Sequence, residues 1–240
     1  MEKEISEKRI IVLKPQITKS EIEELVEKKK TSLFGTVFTR PKPENISITS
    51  IELFYEPFWI AGGSYVGNYF RKNVYDVKTE STVTEVKIGQ GTFPIQRHSG
   101  GWSKLKRGVS GGGKENQLAI PVEEHVEIDL EDEIVFNSQG NETKLKYKIE
   151  AKHQENFPEK VLKENESHVR SCLIKQDQVV DNLEKILKED VEEDVKMVKE
   201  KISIDKLEEI FIPVYEARCT DSKNKVQILR IDAINKQIIN

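Results

Sequence analysis

Apolar residues recur along this 240-residue chain with two different periods. Up to about residue 150 they alternate singly with polar ones, as on a half-buried strand. Beyond Pro158 they step by three or four, as on a helix. In the first region, 9–13 (RIIVL), 46–60 (ISITSIELFYEPFWI), 65–70, 73–77, 82–88 and 122–130 read as strands, rich in β-branched and aromatic residues. A hairpin follows over 133–149, turning at Ser138 to Asn141. The one early helix lies in TKSEIEELVEKKK, with Ser20 and Glu23 as a capping box and Ile22, Leu25 and Val26 on one face. Pro41 and Pro43 mark a linker, and 96–117 is polar and glycine-rich, a long loop.

In the second region Val180, Leu183, Leu187, Val191, Val195, Val198 and Ile202 form one stripe. It predicts a helix near 25 residues, or two helices broken near Glu189 and Asp190. Ser203 is placed to cap a short helix, SIDKLEEI, before two strands joined by the turn DSKNK. The expected fold class is therefore α+β: a mainly antiparallel β portion with one early helix over 1–150, then over 151–240 a long helix or helix pair and a C-terminal β-hairpin.

The tail closes on Asp232-Ala233-Ile234-Asn235-Lys236-Gln237-Ile238. With its helix, strand, turn and strand, the segment 203–240 resembles a PepSY-type unit, whose closing pattern is D-A-x-x-G-x-[IV]; Lys236 stands where that family usually has glycine. The resemblance implies a small α+β module concerned with inhibiting or regulating partners, and it carries no catalytic residues. A second similarity is internal. LFYEPFWIA (53–61) and IFIPVYEA (210–217) each set a proline inside an aromatic-rich apolar run, as equivalent edge strands in two related halves would.

Composition narrows the class. A third of the residues are charged, and no run approaches the roughly 20 apolar residues that span a bilayer, so no membrane association is expected. The first 15 residues carry charges of both signs around a short apolar run, unlike a signal peptide, and a cytoplasmic location is expected. Cys172 and Cys219 are far apart and form no C-x-x-C pair, so neither a zinc ribbon nor a thioredoxin-type site is expected.

Three stretches bear on chemistry. GVSGGGKE (108–115) nearly matches a phosphate-binding loop through Gly108, Gly113 and Lys114. It has Glu115 in place of the magnesium-holding hydroxyl, no buried strand before it, and Pro121 where a helix should run, so no nucleotide is expected. Arg71, Lys72, Arg97, Lys104, Lys106, Arg107 and Lys114 are interleaved with Tyr69, Phe70, Tyr75, Phe93 and Trp102. Cations with flat faces between them suit single-stranded nucleic acid, provided both lie on one surface. His125, Glu127 and Asp129 alternate along one strand face beside Glu123 and Glu131 and offer nitrogen and oxygen ligands to a divalent metal; an acidic strand face is otherwise simply solvated. No nucleophile elbow or dinucleotide fingerprint occurs, and no cofactor is expected. The sequence thus points to a non-enzymatic interaction or scaffolding module that binds another protein. The alternatives are a nucleic-acid binder using 69–114 and, behind it, a metal-dependent enzyme at 123–131.

Overall fold

The computed structural model describes residues 2–35, 39–80, 82–95, 116–192 and 194–239. Strand accounts for 51% and helix for 20%, which makes the protein mostly β rather than α+β with a long helix. The strands are β1 (Glu2–Ile5), β2 (Arg9–Val12), β3 (Ile46–Thr79), β4 (Glu85–Ile88), β5 (Gly91–Pro94), β6 (Asn116–Phe136), β7 (Lys196–Asp221), β8 (Val226–Asp232) and β9 (Ile238–Ile239). The helices are α1 (Lys19–Lys29), α2 (Pro158–Glu164) and α3 (Gln176–Leu187). Among the described residues, a seven-stranded sheet runs β6-β3-β7-β8-β9, with β1 and β2 also pairing with β7, and β4 and β5 form a separate ladder. β2 is parallel to β7, whereas β8 is antiparallel to it.

The expected long helix is the main correction. α3 takes the first part of the stripe and buries Val179, Val180, Leu183 and Leu187. From Lys196 onward the same stripe belongs to β7. A four-residue step is a multiple of two, so Val198 and Ile202 share a face in either conformation, and the spacing cannot separate helix from strand. The short helix expected at 203–210 is also strand. Its three-residue steps looked helical, but Ile204, Leu207 and Ile210 are all buried because both faces of β7 are covered there.

A second correction concerns β3. Segments expected as three strands form one of 34 residues. Gly62 and Gly63 resemble a turn in sequence, yet neither is left-handed, and Gly63 instead permits β7 to approach closely. A Cβ at Gly63 would lie 2.3 Å from the Ser203 carbonyl oxygen. A true left-handed glycine, Gly140 at φ 77, closes the turn after β6, where Asn137 N–H donates to the Asn141 carbonyl.

The early helix is where the period puts it, but its cap lies two residues before the expected Ser20 and Glu23. Glu21 N–H donates to Thr18 Oγ1 at 3.3 Å, and Thr18 N–H donates to Glu21 Oε2 at 2.8 Å. Lys236 Nζ also reaches Glu21 Oε1, at 2.9 Å. Together the backbone of Thr18 and then Lys236 and the Thr18 hydroxyl hold the Glu21 carboxyl down at about 2. Ile22 and Val26 of α1 pack on Ala217, Cys219, Leu229 and Ile231. On the opposite sheet face Ile11, Leu13, Ile60, Val135, Ile210 and Ile212 form a second core beneath Leu145 and Tyr147.

Neither Pro57 nor Pro213 lies on an edge strand, since β3 and β7 are interior to the sheet and are neighbours. Each proline stands where the neighbouring segment changes. Phe211 accepts from Leu13 N–H, and Val214 is already paired with Asp232 of β8, so Pro213 falls between β2 and β8. Tyr55 accepts from Arg170 N–H, and β6 lies beside Gly62, so Pro57 falls between those two partners. A missing N–H costs least at such a seam. The two segments then diverge: β3 continues through Tyr75, whereas β7 ends and turns into β8, which carries Arg230.

The chain divides into two compact units. One comprises Val66–Asp129 and Asp190–Lys201; the other comprises Glu2–Tyr65, Leu130–Glu189 and Ile202–Asn240. β3, β6 and β7 contribute residues to both. In the tail, Lys236 has φ 58, the left-handed conformation that glycine adopts without strain. Among the described residues, no helix is long and apolar enough to cross a membrane.

Candidate functional site

In the larger unit a cleft of about 920 Å3 opens on one face of the sheet. Its floor is set by period two: Glu56 and Phe58 from β3, Ile212, Val214 and Glu216 from β7, and Arg230 and Asp232 from β8. The walls are the turn and extended chain after β6, with Lys144, Lys146 and Tyr147, and the segment holding Arg170, Ser171 and Leu173. Leu173 N–H donates to the Ser138 carbonyl and ties the two walls together.

Charged groups cross the floor in an alternating series. Arg170 Nη2 donates to Glu216 Oε2 at 2.8 Å, with its guanidinium 4.2 Å over the Phe54 ring. Arg230 Nη2 donates to Glu56 Oε1. Arg230 Nε lies 3.3 Å from Glu216 Oε1, close enough for ion pairing but not aligned as a hydrogen bond, which leaves that buried N–H without an acceptor. Burial draws the Arg230 guanidinium below its ordinary pKa, the sign expected when a cation loses water. Glu216 is only 6% exposed, so its two arginines are what make its burial tolerable.

Asp232 is buried too, but it is satisfied differently. Its Oδ1 accepts from Ile234 N–H at 2.8 Å and Asn235 N–H at 3.0 Å; its Oδ2 accepts from Tyr147 O–H at 3.0 Å and Asn235 Nδ2 at 3.1 Å. Burial, with the adjacent Asp232 charge, pushes the Tyr147 phenol up, so it remains a donor. Asp232 is thus a structural knot that folds the β8–β9 turn against the wall of the cleft. Lys144 and Lys146 are exposed at the rim and have no ion-pair partner among the described residues. No histidine or cysteine is among the residues that line the cleft.

Of the residues expected from sequence, those that are described (Arg71, Lys72, His125, Glu127 and Asp129) fall in the other unit. Arg71 Nε donates to Glu124 Oε2 at 2.6 Å and its Nη1 to Glu192 Oε1 at 2.5 Å. Asn73 Nδ2 at 3.1 Å and the Tyr75 hydroxyl also donate to Glu124. Tyr75 and then Arg71 hold the Glu124 carboxyl below its usual range. The Arg71 charge is therefore already matched by carboxylates. Lys72 is exposed and, as the next residue on β3, projects to the opposite face. Arg97, Trp102, Lys104, Lys106 and Arg107 lie outside the described residues, as does the whole of 108–115.

His125, Glu127 and Asp129 do alternate along β6. His125 stacks on Phe70 with ring centroids 4.6 Å apart, and its Nε2 lies 2.5 Å from Asn68 Oδ1. Asn68 Nδ2 in turn donates to Glu127 Oε1 at 3.1 Å. Among the described residues, no group of three or more His, Cys, Asp or Glu is arranged to hold a metal ion.

Glu56, Glu216, Arg170 and Arg230 are not among the site residues expected from sequence. The signal was present: FYEPF and VYEAR each place one glutamate inside an apolar strand run, where a carboxylate must find a cation. No protein-family model matches this chain, and no curated protein or solved structure matches it significantly.

Proposed function

We propose that this protein is a non-enzymatic interaction module that binds another protein through the cleft above β3, β7 and β8. The observation that carries this reading is the make-up of the cleft. It combines a half-buried apolar side chain (Phe58), an exposed apolar wall residue (Leu173, 67% exposed) and rim lysines without an ion-pair partner among the described residues. Apolar ground edged by polar groups is what a protein contact uses. A cytoplasmic setting goes with this reading, since both cysteines are free thiols. The test is cross-linking of the full chain in lysate of its source, comparing wild type with Leu173→Arg and with Lys72→Glu. The expected result is a protein captured by wild type and Lys72→Glu but lost in Leu173→Arg. No captured protein, or equal capture by Leu173→Arg, defeats the proposal.

A further inference from the structure

We propose, independently of the cleft, that the outer edge of β6 is a strand-pairing surface which the carboxylates of Glu123, Glu127 and Asp129 close to a second copy of this chain.

The edge itself is open. Among the described residues β6 has one sheet neighbour, β3, and stands at the end of the strand order. Its last two residues are covered by the returning chain, where Phe136 bridges to Glu142 and Thr143 N–H donates to the Val135 carbonyl. Pro121 lies within the strand, a residue that strands tolerate on an edge. From Val122 to Asp129, every second residue turns its N–H and C=O away from β3, and no ladder takes them up. Such a row is a template for another strand. One face of β6 favours the addition, since Val122, Val126 and Ile128 are β-branched and half-buried.

The other face opposes it. Glu123, His125, Glu127 and Asp129 are exposed in succession at period two, and residues 116–136 contain no lysine or arginine. Glu124, on the opposite face, is matched by Arg71. Glu123, Glu127 and Asp129 have no ion-pair partner among the described residues. From β3 this face receives Asn68, which donates to Glu127 at 3.1 Å, Phe70, on which His125 stacks, and the exposed Lys72. One cation thus stands beside three carboxylates.

Register decides what two such edges would feel. In an antiparallel pair, side chains directly opposite one another on one face have Cβ atoms about 5 Å apart. Centred on His125, two copies set Glu123 against Glu127 of the second copy. Centred on Val126, they set Glu123 against Asp129 of the second copy. Centred on Glu127, that residue meets its own counterpart. Each of these registers places a carboxylate against a carboxylate, and like charges directly opposite destabilise the pair. The strand is kept single by repulsion, not by lack of bonding capacity.

The experiment compares four forms of the full chain by sedimentation velocity at neutral pH and low salt. They are wild type, a neutral variant (Glu123→Gln/Glu127→Gln/Asp129→Asn), a lysine variant (Glu123→Lys/Glu127→Lys/Asp129→Lys) and a control (Glu23→Gln/Glu44→Gln/Glu159→Gln). The control removes the same charge from exposed positions elsewhere. Wild type, control and lysine variant should sediment as monomers, and the neutral variant as a dimer or larger. An equimolar mixture of wild type and lysine variant should pair, and that pairing should weaken as salt rises from about 50 to 500 mM. Hydrogen exchange should show the amides of 122–129 protected in each associated form. A monomeric neutral variant overturns the inference, as does a control that associates equally or a wild type already paired through β6. So does an unpaired mixture of folded chains, or protection that falls outside 122–129. If the lysine variant does not fold, the neutral variant and the control decide alone.

Discussion

Gly62 and Gly63 are adjacent and chemically identical, yet the structure assigns them opposite tolerances to one added methyl group. At Gly63 a Cβ would sit 2.3 Å from the Ser203 carbonyl oxygen and 3.0 Å from Ile204 Cα, both backbone atoms of β7 in the middle of the sheet. Neither atom can move without breaking ladder hydrogen bonds, so Gly63→Ala is an overpacking change at the costly end of about 1–3 kcal/mol. At Gly62 the nearest atoms are Lys206 Cβ at 3.5 Å and the Asp132 carbonyl oxygen at 3.7 Å, ordinary contacts. Alanine there also lowers the conformational entropy of the unfolded chain, which offsets up to about 1 kcal/mol in favour of folding. The two variants should therefore differ by about 2–3 kcal/mol. For a chain of this size that separates their melting temperatures by about 4–12 °C, with Gly62→Ala the higher. Differential scanning calorimetry at neutral pH, backed by urea midpoints, reads the difference. Equal melting temperatures, or Gly63→Ala the more stable, would refute the close approach of β3 and β7 on which the long-strand sheet depends.

Asp232→Ala should cost about 3 kcal/mol, because Tyr147 O–H and the Ile234 and Asn235 N–H groups lose a buried acceptor; Asp232→Asn should cost less, and a loss under about 1 kcal/mol in urea denaturation counts against the knot. The Glu21 carboxyl, lowered from 4.5 to about 2 in the folded chain, contributes stability that is fully present above pH 4.5 and lost as the pH falls through about 2. Glu21→Gln should accordingly melt lower than wild type at pH 7 and converge with it near pH 2; a difference that persists unchanged at pH 2 rejects the capping account.

Sequence alone determined what is local. The apolar period of 22–26 places α1, because an i, i+3/i+4 apolar face needs no distant partner, whereas two overlapping S/T-x-x-E starts, Thr18 with Glu21 and Ser20 with Glu23, left the cap to the structure, which uses the first. The turn at Gly140 is equally local, since its left-handed backbone asks for glycine wherever it occurs. The failures were not local. Residues 202–210 carry spacings of three and four that serve a helix as well as a strand buried on both faces, and only the presence of β1, β2 and β3 alongside selects the strand. Gly62–Gly63 reads as a break until β7 is known to pass within contact. The cleft is the extreme case. Glu56, Arg170, Glu216 and Arg230 are separated by up to 174 positions, and each alone is an unremarkable charge. Pairing across a sheet brings them together, and the low dielectric of the floor then makes their mutual satisfaction obligatory.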